Sequence, residues 1–272
     1  VVLSAVRTPV GSFGGVLGSL SAPELGAIAI RAALDRAGVA PELVSEVFMG
    51  NVLTAGVGQA PARQASLGAG IPDSVPTTTV GKVCGSGMKS VMLGDQAIRC
   101  GDASVVVAGG QESMSNAPYL LPKARFGYRL GDGQMIDSMN HDGLVDAYDH
   151  VAMGVAADRC AVDCNVPREA QDEFAIESYR RAQTSIAEGR FAPEIVPVVL
   201  KDRKGNETVV DTDEEPSKTN FDKIPTLRPV FTKDGTVTAA NASKINDGAA
   251  ALVLADESYA QANGMKPIAR IV

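Results

Sequence analysis

Among the residues able to do covalent chemistry, Cys84 has the most informative surroundings. The β-branched run Thr77 to Val83 predicts a strand, and it leads into CGSGMKSVMLGDQAIRCG, where Cys84, Met88, Val91, Met92 and Ile98 recur at helical spacing. A cysteine delivered by a strand to a helix start meets unpaired N–H groups and the positive end of the helix dipole, which stabilise a nucleophilic thiolate. Gly85 and Gly87 remove side chains where a substrate would approach, and the Cys84 N–H is free to stabilise an oxyanion. Position alone fits a buried structural thiol at a tight turn equally well.

The other reactive residues carry weaker patterns. Cys160 and Cys164 stand four apart without a second Cys or His pair at zinc spacing, so they are expected to be core thiols and no metal is expected. His141 and His150 are the only histidines, and with no motif around them they are expected in surface or capping roles. Met88, Met92, Met114, Met135, Met139 and Met153 could form a soft lining or fill a core. No glycine string makes GxGxxG between strand and helix or GxxxxGK[ST], which argues against nucleotide binding by such loops. Gly109-Gly110 is expected to let a strand end turn sharply, and the small residues of TAANASKINDGAAALVL allow close backbone or ligand approach.

These residues sit in a chain of 272 residues, long enough for one large or two small domains. A net charge of −7 with scattered Lys and Arg argues against nucleic acid and anionic membrane as partners, while a small anionic ligand needs only local cations or helix N-termini. No apolar run is long enough to span a membrane, VVLSAVRTPVGSF does not read as a signal peptide, and four cysteines are too few for a disulfide framework. A cytoplasmic protein with free thiols is expected.

Along the chain, an opening strand and a Gly-rich loop precede a helix from Pro23 to Ala37 that Gly38 should end in a left-handed cap. Strand-like Val44 to Leu53, helix-like Gln59 to Leu67 and the doubly buried strand Ser104 to Gly110 follow. From Met114 to Asp149 periodicity is lost; helices from Val151 to Cys160 and from Pro167 to Gly189 are expected to form an αα-hairpin. Ile195 to Val210 reads as a hairpin around Lys204-Gly205-Asn206, and DTDEEPSK as a solvated loop. A buried strand, Ala249 to Leu254, should rejoin the first sheet before a short closing helix. The expected class is layered α/β with a mixed, mostly parallel sheet: residues 1–114 with 246–268 form one lobe, and 115–245 an inserted α+β lobe.

VCGSGMKSV, VVAGGQESMSNAPY, RFGYRLGDGQMID, HDGLVDAYDHVAMG and GTVTAANASKINDGAAAL, in this order, resemble the thiolases, specifically their acetyl-CoA acetyltransferase group. The resemblance implies that Cys84 accepts an acyl group as a thioester with release of CoA. The carbanion of a second acyl-CoA then attacks in a Claisen condensation, whose reverse is thiolysis; two acetyl-CoA would give acetoacetyl-CoA. It further implies that Ser243 contacts the pantetheine chain and that Leu144, Met153, Phe231 and Ala239 line the pantetheine and acyl pocket. CoA would be substrate and product, with no cofactor, and RFGYRLG resembles a tetramerisation loop, so a homodimer or homotetramer is implied.

Three departures from the family pattern stand out. Ala152 occupies the place of a common histidine before Met153, which bears on acyl preference, and Lys218 is the nearest cation where an arginine often faces the CoA phosphates. Thiolases also continue into a second, similar half with a Gly-His-Pro base and a second cysteine, whereas this sequence stops at IARIV. The expectation is that the C-terminal domain is absent and that the 272-residue chain alone is weakly active at best, with exposed apolar surface. Alternatives are a β-ketoacyl synthase working with acyl carrier protein, a longer-chain 3-ketoacyl-CoA thiolase, and a non-catalytic assembly or binding module.

Overall fold

The structure, a computed structural model, describes residues 1–272. Its elements are β1 (Val2–Arg7), β2 (Gly11–Ser12), α1 (Ala22–Ala37), β3 (Glu46–Gly50), α2 (Pro61–Gly68), β4 (Thr77–Val80), α3 (Ser86–Cys100) and β5 (Val105–Ser113). There follow β6 (Tyr119–Leu120), β7 (Ile136–Asp137), α4 (Met153–Asp163), α5 (Arg168–Ala187), β8 (Val198–Lys201), β9 (Glu207–Val210), β10 (Asn246–Ala255) and α6 (Glu257–Ala262). No helix is long and apolar enough to cross a membrane.

The main sheet has the order β1-β10-β5-β3-β4, with β2 paired to β10. β10 is antiparallel to β1, β2 and β5, whereas β3 is parallel to both β4 and β5, so β10 alone runs against the rest. This is the mixed, mostly parallel α/β sheet expected from the sequence. The period of two along each strand sorts the core into two layers. Val47, Met49, Val105 and Val107 pack with Leu25, Ala29, Ile30 and Ala33 of α1, while Phe48, Val106 and Ala108 pack with Val91, Ala97 and Ile98 of α3.

Local chemistry sets the helix ends. Ser21 and Glu24 close a capping box at the start of α1, where loss of the cap would cost about 1 kcal/mol, and Gly38 at φ 64° caps its end. Gly109-Gly110 does not turn the chain: β5 runs straight through to Ser113. The glycines are needed for approach instead, because a Cβ on Gly109 would collide with the Ala250 backbone of β10, and one on Gly110 would lie 3.3 Å from the Gly87 Cα of α3.

Between β5 and β10 the chain builds smaller units. The β8–β9 hairpin forms as expected, with Gly205 at φ 83°, and it buries Val198 and Val210 in the same core as α1. The expected αα-hairpin does not form; α5 packs on the turns at Pro216–Lys218 and Phe221–Thr226. Arg168 donates to the Ile224 and Leu227 carbonyls at 3.1 and 3.0 Å, and Gln183 to the Pro216 carbonyl at 2.7 Å, fixing α5 on those turns.

DTDEEPSK is exposed at Asp211, Thr212, Ser217 and Lys218 as a solvated loop would be, but its centre is anchored. Asp213 takes the Arg7 guanidinium at 2.7 and 2.9 Å and the Val10 N–H at 2.8 Å, and Glu214 accepts from the Ser12 and Val16 N–H groups at 2.9 and 3.1 Å. The acidic run therefore ties the segment after β9 to the loop after β1, where donors left over by the Gly-rich turn need acceptors. Burial by itself would raise the Glu214 carboxyl, but hydrogen bonds from Lys218 and the two N–H groups hold it down at about 2. A folded value below the unfolded one means that its contribution is present above the ordinary carboxylate range and is lost as pH falls from about 4.5 towards 2. Wild-type protein should therefore lose more denaturation midpoint between about pH 6 and about pH 3 than Glu214→Gln; equal losses would show that this carboxylate is not an acid-sensitive tie.

Candidate active site

The carboxyl ends of β3, β4 and β5 converge, as ligand sites in open α/β sheets do. After β4 the chain makes a tight turn with Val83 at φ 46°, a strained conformation for a β-branched residue. Ser86 holds the turn: its Oγ donates to the Val83 carbonyl at 2.6 Å and accepts from the Lys82 N–H at 2.8 Å. Cys84 is thereby presented, exposed, two residues before the first residue of α3, with Gly85 as the cap. Its N–H donates to no protein acceptor.

The face of α3 that meets the sheet matches the expected apolar stripe only at Val91 and Ile98. Ser86, Ser90 and Gly94 are buried, while Met88 is 74% exposed and Met92 half exposed. Close approach explains the small residues: a Cβ on Gly94 would stand 2.9 Å from Leu254 and 3.1 Å from Val106. A Cβ on Gly87 would meet nothing nearer than 3.8 Å, so protein packing does not require that glycine and the space beside it opens on the cavity.

Cys84 lines a cavity of about 450 Å³ with Arg7, Asn51, Glu112, Met114 and Leu144 among its walls. Glu112 accepts from the Val52 N–H at 2.9 Å and from Asn51 Nδ2 at 2.8 Å, fixing the loop after β3. Burial pushes the Glu112 carboxyl up, against these donors, which lower it. Sequence reasoning missed Arg7, Asn51 and Glu112; the available signal was their place at or next to the carboxyl ends of β1, β3 and β5. Neither histidine lies in this cavity: His141 pairs with Asp142 at 2.7 Å on the surface, and His150 is an exposed turn residue at φ 55°.

Leu144 is shared with a second cavity of about 570 Å³, whose walls include Ala152, Met153, Cys160, Phe231 and Ser243. Four of the residues singled out from the sequence, Leu144, Met153, Phe231 and Ser243, are thus brought together. Phe231 lies against the bare Cα of Gly154, where any Cβ would overlap its ring. The loop bearing Ser243 is held by Asn241, which accepts from the Thr238 N–H at 2.7 Å and donates to Asp172 of α5 at 3.0 Å. On the other side Asp158 of α4 accepts from the Thr236 and Val237 N–H groups at 2.8 and 2.9 Å. Asn241, Asp172 and Asp158 were not identified as part of the site from the sequence.

Two residues stand apart. Ala239 is exposed outside that lining, its carbonyl bonded by Lys244 at 2.8 Å, and Lys218 is engaged with Glu214 at 2.6 Å and Ser12 at 3.2 Å. Lys244 is the cation that lines the second cavity. Cys160 and Cys164, expected in the core, are both exposed: Cys160 borders the cavity, and Cys164 caps the end of α4.

Comparison with known proteins agrees with this geometry. Acetyl-CoA acetyltransferases of Schizosaccharomyces pombe and Cupriavidus necator are each 53% identical over 272 residues, covering all of this chain and 69% of the relative. The crystal structure of Acat5 thiolase from Ascaris suum in complex with coenzyme A superimposes with a TM-score of 0.92 at 44% identity, covering 98% of this chain and 68% of that one. Residues 1–258 match the thiolase N-terminal domain, a span that takes in both cavities and the whole of the main sheet, and the chain therefore belongs to the thiolase family.

Proposed function

We propose that this chain carries the acyl-accepting site of an acetyl-CoA acetyltransferase, the activity named for the relatives above. The observation that carries this reading is the exposed Cys84 at a helix start, in a cavity that Leu144 joins to the one walled by Met153, Phe231 and Ser243. The thioester end of acetyl-CoA lies at Cys84 and its pantetheine arm in the second cavity, with the Ser243 hydroxyl hydrogen-bonding an amide of the arm. Residues 115–245 act as the CoA-binding unit, with Lys244 as the cation in the wall of its pocket.

Cys84 Sγ attacks the acetyl carbonyl, the bond to the CoA sulfur breaks, and the CoA thiolate leaves and takes up a proton. The Cys84 N–H is placed to stabilise the oxyanion of the intervening tetrahedral species. A second acetyl-CoA, deprotonated at its methyl carbon, attacks the Cys84 thioester; a carbon–carbon bond forms, the Cys84–acyl bond breaks, and acetoacetyl-CoA is released. Thiolysis runs these steps backwards. The exposed Tyr119, Leu121, Phe126 and Leu130 support assembly as a homodimer or homotetramer, and four unpaired cysteines fit a reducing compartment such as the cytoplasm.

Incubation with acetyl-CoA followed by intact-mass measurement and peptide mapping tests the reading. One acetyl group on the peptide containing Cys84, matched by one equivalent of released CoA, is expected. Acetylation elsewhere, or none with CoA bound, would overturn it and favour a binding module.

A further inference from the structure

We propose that Cys160 and Cys164 are a modification site for low-molecular-mass disulfides, closing on exchange into a Cys160–Cys164 disulfide that narrows the cavity lined by Cys160. The two Sγ atoms are 3.9 Å apart and both residues are exposed. Residues four apart on a helix have Cα atoms about 6.2 Å apart, within the roughly 4.4–6.8 Å range that a disulfide spans. The remaining approach is available because Cys164 lies just past Asp163, the last helical residue, and is followed by Asn165 at φ 54°. Cβ atoms of residues four apart on a helix stand about 5–6 Å apart, beyond the roughly 3.5–4.5 Å of a disulfide, so closure requires the final turn to tighten around the Cys164 N–H to Cys160 carbonyl bond of 2.9 Å. No set of three His, Cys, Asp or Glu completes a metal site there.

The chemistry balances with a disulfide RSSR as oxidant. The Cys160 thiolate attacks one sulfur, Cys160–S–S–R forms and RS⁻ leaves. Cys164 then loses its proton and attacks the Cys160 sulfur, expelling the second RS⁻. The protein dithiol gives up two electrons and two protons, and RSSR becomes two RSH. The two thiols share a hydrogen bond, so whichever sulfur is attacked has its resolving partner already beside it. An exposed disulfide at a helix end is of the reversible kind.

Cys160 shares its cavity with Met153, Phe231 and Ser243, so closure changes the wall of that cavity. Only this consequence rests on its reading as the pantetheine site; the thiol chemistry does not. The test uses a Cys84→Ser/Cys100→Ser protein, leaving two thiols, treated with oxidised glutathione, alkylated and digested with trypsin. Peptide 160–168 should be two hydrogens lighter than its reduced form, carry no glutathione and revert with dithiothreitol; adding Cys164→Ser should trap glutathione on Cys160. Two alkylated thiols, or lasting glutathione adducts without Cys164→Ser, would overturn the proposal. In a CoA titration the oxidised protein should bind about fivefold more weakly than the reduced one. A formed disulfide with unchanged CoA affinity would overturn the narrowing. A reduced protein that fails to bind CoA would overturn the pantetheine reading and leave the dithiol assignment standing.

Discussion

Cys84→Ser should lower acetyl transfer from acetyl-CoA by about a thousandfold or more while changing CoA affinity less than about twofold. Serine keeps the size of the side chain but raises the cost of the anion that must attack, and no histidine lines the cavity to take its proton. The fold should be indifferent to the change, because Cys84 is exposed and the turn is held by Ser86, whose bonds to Lys82 and Val83 remain. CoA affinity should survive because the cavity walled by Met153, Phe231 and Ser243 does not include Cys84. Release of CoA thiol in the first turnover, read beside a binding titration, separates the two effects. Transfer at the wild-type rate would remove Cys84 from the chemistry, and parallel loss of binding and transfer would make it a structural residue.

How far the sequence could be read depended on whether a feature was local. The α1 helix was legible because its signals, proline in its first turn and Gly38 after it, act within a few residues. β5 was legible because a doubly buried strand must be apolar throughout, although its extension to Ser113 was hidden behind two glycines; β10 was legible from its apolar run Ala249 to Leu254. The anchoring of DTDEEPSK was not legible: its partners, Arg7, Val10, Ser12 and Val16, lie about two hundred residues earlier, and nothing local marks an acidic run as an anchor. The same holds for the sheet-facing side of α3. Apolar spacing pointed to the Met88 face, yet the distance between helix and sheet, a tertiary quantity, selected the small residues Ser86, Ser90 and Gly94. For the site, Cys84 carried a local signal, whereas Glu112 and Asn51 enter it only because β3 and β5 are neighbours.

That dependence on tertiary distance gives Gly50→Ala its expected effect: a loss of about 1–3 kcal/mol in stability from overpacking and about a hundredfold in acetyl transfer from a misplaced nucleophile. Gly50 ends β3, and a Cβ there would lie 2.7 Å from the Gly87 N and from the carbonyl carbon and Cβ of Ser86. These are backbone atoms and a buried side chain, so no flexible group can yield, and the start of α3 must move. Ser86 is also the residue that pins Lys82 and Val83, so displacing it releases the strained turn that presents Cys84. Chemical denaturation gives the stability loss, and acetylation measured well below the melting temperature gives the rate loss in folded protein. Gly81→Ala is the control, since a Cβ there meets nothing within 4 Å although the residue is close to the same cysteine; it should stay within about 0.5 kcal/mol of wild type. If Gly50→Ala lost stability but kept its transfer rate, the placement of Cys84 would not depend on contact between α3 and the end of β3. Equal losses in Gly50→Ala and Gly81→Ala would assign the effect to backbone freedom in the segment and not to the close approach.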